Sequence, residues 1–190
     1  MEGVFIMGDI ASQVNQFKAD YYLKNKKNSL FKEKQKAELA ALICQKFNIE
    51  QLIEATVRIL ENTNIVYIDY TLFKLFVNEA LYDTMVNIIL QKFDIVIKQY
   101  GNFQCYINID GFTITAAQRY QSLISHFCNK CVEINSTHTE SLQSFKIYNP
   151  ASIMEPIRKL LGPFVHKDIK HKIEIISKEN SVSELQKLNL

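Results

Sequence analysis

The chain has 190 residues, 47% of them hydrophobic, with a formal charge of +2 and a mean hydropathy of −0.07. That composition supports one sizeable core and excludes bulk disorder, and the near-balanced charge excludes a strong global field for nucleic acid. The five glycines, at 3, 8, 101, 111 and 162, are too scattered to form the glycine-rich phosphate loops of nucleotide-binding proteins.

The opening residues Met1–Asp9 have no basic stretch and only a short apolar run, unlike a signal peptide. No segment reaches the roughly 18 uncharged apolar residues of a membrane span. Four cysteines without a secretion signal point to reduced thiols. The expectation is a soluble, cytoplasmic protein whose contact with membranes is transient and peripheral.

The first third reads as helical. Lys18–Lys36 carries seven lysines against Asp20 and Glu33, with a turn over Asn25–Ser29. This run reads as a solvated helix face, with contact to anionic lipid as the alternative. Leu39, Leu42, Ile43 and Phe47 recur at helical spacing. Asn48 with Gln51 forms a capping-box start for a helix through Leu60. A strand is expected over Ile65–Tyr70, and a second over Leu72–Val77. Asn78 is placed to cap a long helix over Glu79–Tyr100, which Gly101 terminates.

Further on, Phe103–Ile109 reads as a strand, and Thr115 with Gln118 as the start of a helix running to Cys131. Ser144–Tyr148 is a strand, Asn149-Pro150 a turn, Ala151–Leu161 a helix stopped by Gly162-Pro163. His171–Ser177 reads as a last strand, and Ser181 as the cap of a final helix. Helix and strand alternate after residue 78, which implies α/β architecture with a mostly parallel sheet flanked by helices. A small helical segment over 1–62 would precede the domain over 63–190.

Few residues point to catalysis. Cys128-Asn-Lys-Cys131 falls at the C-terminal end of its helix, where the dipole disfavours a thiolate. His126 and His138 are the nearest candidates for completing a metal site, but their spacing fits no standard zinc motif. His166 and His171 read as surface residues. Asp69, Asp110 and Glu174 lack a partner that would make an acid/base pair. No enzyme, metal or cofactor is indicated.

The helix after Asn149-Pro150 has Ile153, Met154, Ile157, Leu160 and Leu161 on one face, and Ser152, Glu155, Arg158 and Lys159 on the other. Periodicity alone makes it a surface helix covering the sheet. Its setting says more. Phe145-Lys-Ile-Tyr-Asn-Pro150, Pro163-Phe164 and Lys172-Ile173 follow one another in the order seen in the CRAL-TRIO lipid-binding family, which this sequence resembles. Ile107-Asn-Ile-Asp-Gly111 with Thr113-Ile-Thr115 is similar to that family's strand end and following helix start. Lys46-Phe-Asn-Ile-Glu50 is similar to a motif of its N-terminal helical segment.

The resemblance implies that the helix after the turn is a gate over an apolar lipid pocket. Ile153, Met154, Ile157, Leu160, Leu161 and Phe164 would then touch acyl chains. In the phosphatidylinositol-transferring branch, Glu140 and Lys172 would fall on the headgroup-reading positions. The positions that would hold a phosphocholine are Phe103 and Cys105, which cannot do so. The partner implied is a phosphoinositide, another anionic phospholipid or another hydrophobic ligand. The competing reading keeps the fold as a protein-interaction or structural module with a filled pocket.

Overall fold

A computed structural model describes residues 7–28, 30–133 and 137–188. The expected α/β architecture is present. One sheet holds β1 (Val57–Ile59), β2 (Ile65–Asp69), β3 (Phe103–Asn108), β4 (Leu142–Tyr148) and β5 (Ile173–Ile175), side by side in chain order. β1 is antiparallel to β2, and the remaining pairings are parallel.

The helices are α1 (Met7–Lys24), α2 (Lys32–Lys46), α3 (Ile49–Thr56), α4 (Tyr70–Phe76), α5 (Tyr82–Tyr100), α6 (Ile114–Arg119) and α7 (Gln121–Cys131). They continue with α8 (His138–Ser141), α9 (Glu155–Leu161), α10 (Lys167–Lys170) and α11 (Lys178–Lys187).

Strand alternation sorts side chains onto two faces. Val66, Cys105 and Phe145 sit side by side, as do Ile68, Ile107 and Ile147. These residues join one large core with apolar residues of α1–α7 and Ile157 of α9. The opposite face carries Tyr67, Tyr106 and Tyr148, covered in part by Leu185 of α11 and by Leu188 just after it. The boundary expected at residue 62 falls in the β1–β2 connection. Val14, Leu39, Ile43 and Leu52 from before it pack into the same core as the sheet.

Several elements differ from the sequence expectation, each for a local reason. The helix expected to reach Leu60 stops at Thr56, and Val57 begins β1, opposite Ile68. The strand expected over Leu72–Val77 is α4: Asp69 caps it by accepting from the Thr71 amide at 2.7 Å. Tyr70, Leu72, Phe73, Leu75 and Phe76 are all buried, because α4 touches α2, α3 and β3. A seven-residue helix in which only Thr71 and Lys74 are partly exposed shows too little periodicity to be distinguished from a buried strand.

Asn78 caps a 3₁₀ turn, Glu79–Leu81, and the α-helix proper begins at Tyr82. Gly101 ends α5 in the left-handed region at φ 77°, as expected. Thr113 rather than Thr115 caps α6, and the chain breaks at Tyr120 before α7. The last strand shortens to Ile173–Ile175, and Ser177 rather than Ser181 caps α11. The turn expected at 25–29 is seen at its start; Ser29 lies outside the described residues.

Two substitutions separate packing from backbone conformation. Phe103 is 2% exposed and stacks on Phe93 at 4.2 Å, so Phe103→Ala should cost about 3–5 kcal/mol in urea unfolding. A Cβ at Gly101 would meet nothing within 4 Å. Gly101→Ala should therefore cost only the left-handed conformation, about 1–2 kcal/mol.

Candidate functional site

The site is built from the corner where β4 leaves the sheet. Asn149 holds φ 51°, a left-handed conformation that asparagine tolerates better than most residues. Its amide N–H donates to Ser181 Oγ at 2.8 Å, and its Nδ2 donates to Asn108 Oδ1 at 2.9 Å. Ser181 is fully buried and its hydroxyl donates back to Ser177 O at 2.8 Å. The Asn149-Pro150 turn is thus tied to the end of β3 and to α11.

Beyond the turn, the helix expected over 151–161 is shorter. Ala151–Met154 are irregular, and α9 begins at Glu155 with Pro156 in its first turn, where a proline costs no hydrogen bond. Gly162 closes it: a Cβ there would lie 2.5 Å from Arg158 O. Ile157 is 4% exposed and belongs to the main core. Met154, Leu160, Leu161 and Phe164 are half-buried, whereas Ile153 is 70% exposed and is not brought to the buried face.

α9 rests on α6 and α7. Ile107, Phe145 and Ile147 of the sheet are also only half-buried there, packed against the same core. By contrast, Ile43, Leu52, Phe76, Met85, Val86 and Val96 have no exposure at all. Closure of the core is therefore uneven: those six side chains exclude water, while apolar residues at its margin, on α9, β3 and β4 among other elements, are only partly covered. The three sheet residues were not singled out as site residues, although the alternation within β3 and β4 already put them on one face.

Glu140 and Lys172 come together, but through backbone. Lys172 Nζ donates to Leu142 O at 2.6 Å and to Thr139 O at 2.9 Å, with Glu140 O at 3.5 Å. The ammonium thus caps the carbonyls at the end of α8 and ties the start of β5 to the start of β4. Glu140 itself is exposed.

The four cysteines are thiols. Burial pushes Cys128 up to about 11 and Cys131 up to about 12. His138 Nε2 lies 2.8 Å from Asp94 Oδ1, and His126 Nε2 3.3 Å from Asp83 Oδ1. His166 accepts from the Asp168 amide at the start of α10, and His171 is exposed. Among the described residues, no three His, Cys, Asp or Glu side chains are grouped to hold a metal. No helix of the described residues is long and apolar enough to cross a membrane.

The chain matches the family model of the CRAL/TRIO domain over residues 27–188 and belongs to that family. The family generally binds lipophilic ligands and is generally non-enzymatic. No curated protein matches the chain.

The cysteines yield a pH prediction. The raised thiols of Cys128 and Cys131 hold their protons in the fold, while the unfolded chain releases them near 9.0. Their contribution to stability is fully present below pH 9 and falls as pH rises toward 11–12. Urea midpoints should therefore drop above pH 9 and do so less in Cys128→Ser/Cys131→Ser. All four thiols should react with a thiol reagent on unfolding without prior reduction. A stoichiometric disulfide between Cys128 and Cys131 would refute this.

Proposed function

We propose that the chain binds a lipid whose acyl chains lie between α9 and the β3–β4 strip of Ile107, Phe145 and Ile147. The headgroup would lie toward Glu140 and Lys172, and the ligand is a phosphoinositide or another anionic phospholipid. The observation that carries the reading is the incomplete burial of apolar side chains on α9 and on the β3–β4 strip. Met154, Leu160 and Leu161 on the helix side and Ile107, Phe145 and Ile147 on the sheet pack against the core yet are only partly buried. Lipid chains would complete that burial, at about 25 cal/mol per Å² of apolar surface removed from water. Lys172 has a compact charge suited to phosphate. Its longest contact, to Glu140 O at 3.5 Å, is the one that a phosphate oxygen would replace. Binding and release of the lipid entail transient contact with a membrane surface.

A packed interior favours a second reading, that of an interaction module. Tyr70, Phe73, Phe112 and Tyr120 are buried and meet edge to face, with Tyr70–Phe112 at 4.9 Å and Phe73–Tyr120 at 5.2 Å. These rings fill the space beside α6, the helix on which α9 rests.

Transfer of fluorescent phosphatidylinositol and of a neutral lipid between vesicles separates the two readings. Leu161→Asp places a carboxylate on the half-buried face of α9 and should abolish transfer of both lipids with circular dichroism unchanged. Ile157 is unsuitable for this test, because its burial in the main core makes Ile157→Asp a test of folding. Lys172→Ala should lower phosphatidylinositol affinity about ten- to a hundredfold, a loss of about 1.5–3 kcal/mol, and leave the neutral lipid nearly unaffected. The same substitution leaves the carbonyls of α8 uncapped and should lower the urea midpoint. A wild type that carries no lipid when purified and moves neither probe would replace this reading with the interaction module.

A further inference from the structure

The turn between α1 and α2 is built by two side chains. Gln35, 9% exposed, donates from Nε2 to Asn25 O at 2.9 Å and Lys26 O at 3.0 Å, and its Oε1 accepts from the Asn28 amide at 3.0 Å. Asn28 Oδ1 in turn accepts from the amides of Leu30 and Phe31 at 2.9 and 3.0 Å. A buried glutamine and an Asx turn therefore fix the backbone here, yet what they hold outward is apolar. Leu23, Leu30 and Phe31 are 81%, 87% and 64% exposed. Lys24, Lys26, Lys27, Lys32 and Lys34, all exposed, surround them. The one carboxylate between residues 23 and 36 is Glu33, which is engaged by Lys36 and Arg119.

A turn that only meets water has no need of large apolar side chains at its tip, and a fixed apolar tip rimmed by one sign of charge marks an interaction surface. From this geometry we infer that the α1–α2 turn docks on an anionic bilayer. Leu23, Leu30 and Phe31 enter the headgroup–acyl boundary, and the lysine stems lie along them with their ammonium groups at the lipid phosphates. Charge argues against a second copy as the occupant, since a symmetric pairing would bring the lysines of each turn against one another. The ion pair of Glu33 with Arg119 links the start of α2 to α6, and so to the helix that supports α9. This inference goes beyond the ligand proposed above and does not require an occupied site under α9.

The test is cosedimentation of the full chain with vesicles of phosphatidylcholine alone and of phosphatidylcholine with phosphatidylserine. Wild type is expected on the phosphatidylserine vesicles at low salt, to be released as salt rises, and to remain in the supernatant with the neutral vesicles. Leu30→Ser/Phe31→Ser and Lys26→Glu/Lys27→Glu should each lower partitioning about tenfold or more with unchanged circular dichroism. Ile95→Ser and Val182→Ser, at hydrophobic residues exposed elsewhere, should leave it unchanged. Lipid extracted from each purified variant reads ligand occupancy separately, and the turn variants should carry as much as wild type. The inference is overturned by a wild type indifferent to phosphatidylserine or by equal losses in the control variants. Self-association that disappears in Leu30→Ser/Phe31→Ser would overturn it as well, by giving the surface to a second copy.

Discussion

Strands β2 to β5 are laid down side by side, in parallel and in chain order, so crossovers of one hand all fall on the same face of the sheet. The helices between them, α4 to α10, pack accordingly with the face that carries Val66, Ile68, Cys105, Ile107, Phe145 and Ile147. On the reading proposed above, the ligand would have the sheet for its floor and neighbouring crossover helices for its walls. On the opposite face the row of Tyr67, Tyr106 and Tyr148 is buried beneath α11 with Leu60 and Ile176 beside it.

The register of the sheet is fastened at both ends of its strands. At the β3 start, Gln104 donates to Asn64 at 3.0 Å and accepts from Ser144 and Tyr106, each at 2.9 Å, bridging β3, β4 and the turn into β2. At the far end, Asn108, Asn149 and Ser181 join β3, the exit from β4 and α11. Because these side chains hydrogen-bond one another, a slip of one residue would break both groups at once.

Where the sequence carried a positional signal, the fold was legible in it. Gly101 ended α5, Asn48 capped α3, and Asn149-Pro150 closed β4 as their conformational preferences require. Uniform burial hid the rest. α4 is apolar except for Thr71 and Lys74, too short a pattern to exclude a strand, while Thr113 and Thr115 are both acceptable caps. At the candidate site the Asn-Pro corner and the apolar stripe were readable. The distribution of burial along the stripe was not: Ile153 and Ile157 share its pattern, yet one is 70% and the other 4% exposed. The carbonyl cage around Lys172 was equally invisible, since its members come from residues 139–142, some 30 positions away.

Burial also grades the stability of the parts. Around α3, α4 and α5, Leu52, Phe76, Met85, Val86 and Val96 have no exposure, so opening that half uncovers the centre of the cluster. On α9 one side chain, Ile157, is fully seated, and its apolar neighbours are partly solvated. The helix also rests on α6 and α7, with Asn149 tied to Asn108 and Ser181 at its entry and Gly162 at its exit. On the reading proposed above, opening at α9 would have to part these contacts with α6 and α7, and they would set its cost. The partly buried strip of Ile107, Phe145 and Ile147 is the apolar sheet surface that a ligand would then meet on that reading.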